Sequence, residues 1–220
     1  MKRCSALLFD FGGTLDADGV PWKERFARLF LELAPEAAEG FDRNFYDADD
    51  ALVGSLPKDL GLEGTSHRLA ADVARKLGRP ELAELVANRF LEEARLTLAR
   101  SKALLARLSP RYRLGIVSNF YGNLDAVCRE TGLAPHLTAA LDSSVVGAEK
   151  PDPRIFRSAL EAVRAQAEET IFIGDSLARD MAGARGVGIP HVWLSAEGEQ
   201  ACCSSDRVIR RLAELEEVLA

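Results

Sequence analysis

One stretch limits what this chain can fold into: Leu7-Leu8-Phe9-Asp10-Phe11-Gly12-Gly13-Thr14-Leu15-Asp16. Ser5–Asp10 reads as a buried strand, continuously apolar rather than alternating, as in a parallel sheet covered on both faces. Open parallel sheets bind ligands at the carboxyl ends of their strands. A carboxylate placed there can attack an electrophile or hold a cation. The Gly12-Gly13 pair lets backbone approach an anion closely, and Thr14 adds a hydroxyl donor. In isolation the same residues describe a strand and a polar turn, so distant motifs must decide between the two.

Downstream, the pattern becomes helical. Pro21 opens a helix with Trp22, Phe26, Leu29/Phe30 and Leu33 at helical spacing, and Pro35 starts another carrying Phe41 and Phe45. Gly54, Pro57, Gly61 and Gly64 mark turns, and Thr65 is placed to cap a helix through Leu69, Val73 and Leu77. Pro80 begins a helix through Ala94, and 17–97 contains no strand pattern. The remainder alternates: helix Ser101–Leu108, strand Leu114–Val117, a helix through Leu124 and Val127, and strand Thr138–Leu141. A helix from Asp152-Pro153 follows, then strand Thr170–Ile173, helix Arg179–Gly186, strand His191–Leu194 and a closing helix Val208–Leu219. This predicts an α/β fold, a doubly wound parallel sheet with an inserted α-helical unit. The expected division is a core of 1–16 and 98–220 with a cap of 17–97.

Composition narrows the function classes. A net charge of −6 and a pI near 5.3 argue against a nucleic-acid partner. No run approaches the length of a membrane span, and the apolar Ala6–Phe9 behind Lys2 and Arg3 is too short for a signal peptide. The four cysteines (Cys4, Cys128, Cys202, Cys203) have neither metal-ligand spacing nor a secreted framework, so the cytoplasm is the expected compartment. Vicinal Cys202-Cys203 reads as two incidental thiols.

Polar groups end three predicted strands and one loop: Asp10, Ser118-Asn119, Lys150, and Asp175 with Asp180. Parallel topology would gather them at one sheet edge. In order and spacing, these motifs resemble those of the haloacid dehalogenase superfamily of hydrolases. Phe9–Leu15 is similar to its first motif and Val117-Ser118-Asn119 to its second. Lys150-Pro151-Asp152 resembles its third, and Gly174-Asp175-Ser176 with Asp180 its fourth. The resemblance implies a Rossmann-like core with a helical cap inserted after motif one. It implies Asp10 as a nucleophile forming an aspartyl-phosphate, with Ser118 and Lys150 completing the catalytic set. Gly13, Thr14, Ser118, Asn119 and Lys150 would bind phosphate. Asp10, the Gly12 carbonyl and Asp175 would hold Mg²⁺, supported by Asp180 and Ser176. The implied partner is a small phosphorylated metabolite, and the implied assembly a monomer or homodimer.

One position departs from the pattern. Phosphatases of the family carry a second aspartate two residues after the nucleophile as general acid and base, and here that position is Gly12. Losing such a group costs on the order of 10²–10⁴ in rate. Asp16, Asp18 or a cap residue are the available deputies. Three activities remain compatible: a metal-dependent phosphatase, a 2-haloacid dehalogenase that needs no acid, and a phosphonoacetaldehyde-type hydrolase with a cap lysine among Lys23, Lys58 and Lys76. A non-catalytic phosphate-binding member is a fourth possibility, of a different class. Asp142 and Glu149 read as solvated loop charges, His67, His136 and His191 as structural or surface residues, and Trp22 as cap core.

Overall fold

The structure, a computed structural model, describes residues 4–195 and 207–219, so Cys202-Cys203 lie outside the described residues. Six strands, β1 (Ala6–Phe9), β2 (Arg113–Ser118), β3 (Ala139–Asp142), β4 (Thr170–Gly174), β5 (His191–Leu194) and β6 (Arg207–Ile209), form one sheet in the order β3-β2-β1-β4-β5-β6. Every pairing is parallel. β1 sits centrally with all four residues buried, as its unbroken apolar run requires. Its neighbours β2 and β4 run beside it in the registers Phe9↔Ile116 and Phe9↔Ile173, so their last residues, Ser118 and Gly174, lie at the same end of the sheet as Phe9. Whatever follows these three strands therefore meets at one edge, where the order reverses about β1.

Between β1 and β2 run four helices: α1 (Trp22–Leu33), α2 (Phe41–Leu52), α3 (Leu62–Lys76) and α4 (Ala83–Leu108). The later helices are α5 (Leu124–Glu130), α6 (Ser143–Val146), α7 (Pro153–Ala162), α8 (Ala182–Gly186) and α9 (Leu215–Leu219). α7 starts as its sequence dictates, with Pro153 in the first turn and the Asp152 carboxylate accepting from the Arg154 N–H at 2.9 Å.

Two apolar clusters cover the sheet. One face packs Leu8, Phe156 and Phe172 beneath α7 and α8. The other carries Leu7 and Phe9 and continues without a break through Phe11, Leu15, Trp22, Phe26 and Phe90 into the helical insert. Aromatic contacts bridge the junction: Phe11–Phe120 at 5.7 Å, Trp22–Phe120 at 6.0 Å and Trp22–Phe90 at 5.0 Å between ring centroids.

Several local expectations give way to longer-range forces. The helices expected from Pro80 and at Ser101–Leu108 are one, α4, since no breaker separates them and Ser101 turns its hydroxyl onto the Leu15 carbonyl at 2.7 Å. Pro35–Ala38 makes only a short 3₁₀ turn before α2. Thr65 lies inside α3, its hydroxyl donating to the Gly61 carbonyl at 2.8 Å, rather than capping it. A tight turn, Leu177–Met181, precedes α8. The closing helix is split: Arg207–Ile209 pairs with β5 as an edge strand, and only Leu215–Leu219 is α-helical.

Candidate active site

The carboxyl ends of β1, β2 and β4 deliver Asp10, Ser118 and Asp175 to one edge. Lys150 arrives from the loop before α7 and Asp180 from the turn after β4. Lys150 is buried, its Nζ 2.7 Å from Asp10 Oδ1 and 2.7 Å from Asp180 Oδ1. Ser118 Oγ donates to the same Asp10 Oδ1 at 2.9 Å. One Asp10 oxygen is thus fixed by two donors and the other is left for chemistry. The Ser176 N–H holds the second Asp180 oxygen at 3.0 Å.

Carboxylate oxygens of Asp10, Asp175 and Asp180 lie within 4.8 Å of one another. Three carboxylates share one lysine in a low-dielectric setting, and the protonation equilibria register the strain. Burial pushes the Asp175 carboxyl well up, and the Asp10 and Asp180 charges push it further. Burial carries Asp180 up to about 6, with Lys150 opposing. Burial alone would lower the Lys150 ammonium, yet Asp10 and Asp180 hold it above its usual value. This excess of buried negative charge, on hard oxygen donors, fits a divalent cation.

Two glycines shape the approach. Gly13 has φ of +93°, and a Cβ there would stand 2.5 Å from Asp175 Oδ2. A Cβ on Gly12 would meet the Trp22 indole at 3.3 Å, so the space beside Gly12 already holds an aromatic ring.

Of the residues expected at the site, Asp10, Gly12, Ser118, Asn119, Lys150, Asp175, Ser176 and Asp180 line one cavity of about 280 Å³. Gly13 and Thr14 do not line it, and both expected phosphate donors have partners within the protein. The Gly13 N–H is spent on Asp16 Oδ1 at 2.8 Å, and the buried Thr14 hydroxyl donates to Asp175 Oδ1 at 2.9 Å. Asn119 is likewise engaged: its amide pairs with the Lys150 backbone at 2.7 and 3.1 Å, positioning that lysine. Neither sequence deputy for the missing acid is free. Asp16 is fully buried, accepting from the Trp22 indole at 2.7 Å and paired with Arg25 at 2.8 Å. Asp18 pairs with Arg100 at 3.2 Å and accepts from the Leu212 N–H at 3.0 Å.

Asp142, expected as a solvated charge, is buried and accepts from the Gly122, Leu124 and Ser144 N–H groups, shaping the loop after Ser118. Glu149 is exposed beside a neighbouring cavity, and none of the three histidines lines the site. Trp22 serves both as core and as cavity wall, and Lys23, alone of the three candidate lysines, lines the cavity. Sequence reasoning missed Glu24, Asp49, Tyr121 and Arg179, which also line the cavity. Tyr121 lies two residues past Asn119, a nearness that was available as a signal. Asp49, on a helix far along the chain, had none.

Among the described residues, no helix is long and apolar enough to cross a membrane. A family model described as haloacid dehalogenase-like hydrolase matches residues 4–188. A phosphoserine phosphatase from Thermus thermophilus is 37% identical over 124 residues, covering 53% of this chain and 49% of the relative. A ribulose-1,5-bisphosphate 5-phosphatase from Halopiger xanaduensis is 27% identical over 92% of this chain and 90% of its own length. The chain spans only 32% to 41% of the length of several other curated relatives it matches. Among solved structures, the hydrolase YfnB from Bacillus subtilis, bound to magnesium, superposes with a TM-score of 0.64 at 25% identity, covering 99% of both chains.

Proposed function

Since the chain belongs to the haloacid dehalogenase-like hydrolase family, we propose that it is a Mg²⁺-dependent phosphomonoesterase acting on a small phosphorylated metabolite through an aspartyl-phosphate on Asp10. The observation carrying this reading is Asp175 beside Asp10 and Asp180, a third carboxylate in a cluster with one lysine, whose excess negative charge a divalent cation would offset. Displacement of halide has no need of it. Relatives named as phosphatases support the same direction.

In this reading the Asp10 oxygen not engaged by Lys150 and Ser118 attacks phosphorus. Lys150 and Ser118 neutralise and orient the transferring group, and Asp180 holds Lys150 in place. Asp10, Asp175 and the Gly12 carbonyl would hold Mg²⁺, which supplies charge neutralisation for phosphate oxygens. Residues 17–97 act as the cap and 1–16 with 98–220 as the catalytic unit. α1 and α2 of the cap contribute Trp22, Phe45 and Tyr46 to the cavity wall, where they exclude water and select the substrate.

Hydrolysis of p-nitrophenyl phosphate with Mg²⁺ and with EDTA, beside chloroacetate, tests the reading. Mg²⁺-dependent phosphate release, abolished in a folded Asp10→Asn variant, is expected; metal-independent halide release would overturn it. Lys23 in the cavity wall favours a second reading, cleavage of a phosphonoaldehyde through a Schiff base. Borohydride inactivation in the presence of phosphonoacetaldehyde, lost in Lys23→Ala, would select it.

A further inference from the structure

The cavity needs a proton donor for the leaving group, and Gly12 cannot provide one. Asp16 and Asp18 are tied elsewhere by the pairs described above. Outside the Asp10–Asp175–Asp180 cluster, the cavity wall contains two carboxylates, Glu24 and Asp49. Glu24 is exposed in the first turn of α1, with no hydrogen bond fixing it among the described residues. Asp49 is different. It projects from α2 onto the loop that follows Ser118, where the buried Tyr121 hydroxyl donates to its Oδ1 at 2.5 Å. That tyrosine is itself held, its carbonyl accepting from the Gly54 N–H at 3.0 Å. Asp49 has no ion pair within 4 Å among the described residues, and its Oδ2 has no protein partner there. One oxygen is therefore fixed by Tyr121 and the other has no protein partner among the described residues, on a side chain that lines the cavity.

We propose that Asp49 is the general acid–base of this site, oriented by Tyr121 and standing in for the side chain that Gly12 lacks; this rests on the phosphatase reading above. As the bond from phosphorus to the ester oxygen breaks, the electron pair stays on that oxygen and the Asp49 carboxyl gives it a proton, releasing an alcohol. The resulting Asp49 carboxylate then takes a proton from the water that attacks the phosphorus of the aspartyl-phosphate. Asp10 is freed, inorganic phosphate leaves and the Asp49 carboxyl is regenerated.

The surroundings suit the role. Burial raises the Asp49 carboxyl, the Tyr121 hydrogen bond pulls it down, the Asp50 charge raises it and Arg179 lowers it. Lys23 and Glu24 line the same wall, and Asp10, Lys150, Asp175 and Asp180 face the cavity from the sheet edge. An acid balanced between burial and a hydrogen-bond donor can cycle through both protonation states.

The test compares 2,4-dinitrophenyl phosphate, whose leaving group needs no proton, with phenyl phosphate, whose leaving group does. Asp49→Asn keeps the acceptor for Tyr121. It should lower kcat/KM for phenyl phosphate by on the order of 10²–10⁴, and change the dinitrophenyl ester only a few-fold. With the activated ester a burst should appear, because hydrolysis of the phosphoenzyme has lost its base. Asp49→Glu should restore part of the phenyl phosphate rate, and Tyr121→Phe should lose part of it. Equal losses on both esters, or no loss on either, would overturn the proposal and make Asp49–Tyr121 only a latch between cap and core. A wild type that cleaves neither ester overturns the phosphatase reading and this assignment together.

Discussion

Replacing Arg25 with methionine should destabilise the fold severely, though Arg25 does not line the catalytic cavity. Its guanidinium is almost fully buried, 2.8 Å from the fully buried Asp16 carboxylate, donating to the Phe90 carbonyl at 3.0 Å and lying 3.9 Å from the Phe90 ring centroid. Burial raises the Asp16 carboxyl, and Arg25 is the main force opposing that rise. Arg25→Met leaves an uncompensated buried charge, at about 3–5 kcal/mol. For a chain of this size that is roughly 6–20 °C in Tm. Thermal unfolding followed by near-ultraviolet circular dichroism measures it. The pH dependence identifies the cause. A carboxyl whose folded-state pKa is raised is penalised only while ionised, so the deficit should be full near neutrality. It should shrink as pH falls through the folded value toward the unfolded one of about 3.9. Arg25→Lys, which retains the charge, should recover more than half of the loss. A deficit unchanged on acidification, or a lysine variant no better than methionine, would show that lost packing and not the stranded Asp16 charge sets the cost.

The metal reading makes a prediction of opposite sign. In metal-free protein Asp175→Asn should leave Tm unchanged or raise it, because it removes a buried charge repelled by Asp10 and Asp180. Mg²⁺ at a hundred times its Kd should stabilise the wild type by about 2.7 kcal/mol and this variant scarcely at all, as differential scanning fluorimetry would register. Burial, reinforced by Asp125, pushes the Cys128 thiol up to about 12. Mass spectrometry after iodoacetamide treatment at about pH 8 should therefore find Cys128 unmodified in native protein and alkylated once urea unfolds it.

The sheet was legible because its signals are local. An apolar run stopped by Asp10, Ser118 or Gly174-Asp175 is a strand end wherever it occurs, and parallel topology then gathers these ends. Where local pattern and fold differ, the partner that decides is one the pattern does not name. Val208, Leu212 and Leu215 keep helical spacing, but β5 offers an unpaired edge and Arg207–Ile209 takes it. Asp142 looked like a loop charge because two of the N–H groups it accepts from, those of Gly122 and Leu124, belong to a turn 20 and 18 residues away. Thr14 sits where a phosphate donor is expected, and its hydroxyl is claimed by Asp175, 161 residues away. Asp16 looked like a spare acid until Arg25 and Trp22 closed on it.

The apolar seam through Phe11, Trp22, Phe90 and Phe120 has a thermodynamic consequence. In chain order the helical segment is an insertion, entered after Asp16 and left along α4. Energetically it has no such border, since the same side chains that seal the sheet also seat the insert, and α4 passes through both. Excising it would strip one face of the sheet and expose an aromatic surface prone to aggregation. Transplanting a foreign cap would require carrying over the matching rings at Phe11 and Phe120. Substrate preference can drift through the wall residues of α1 and α2, while the seam fixes the platform on which they are displayed.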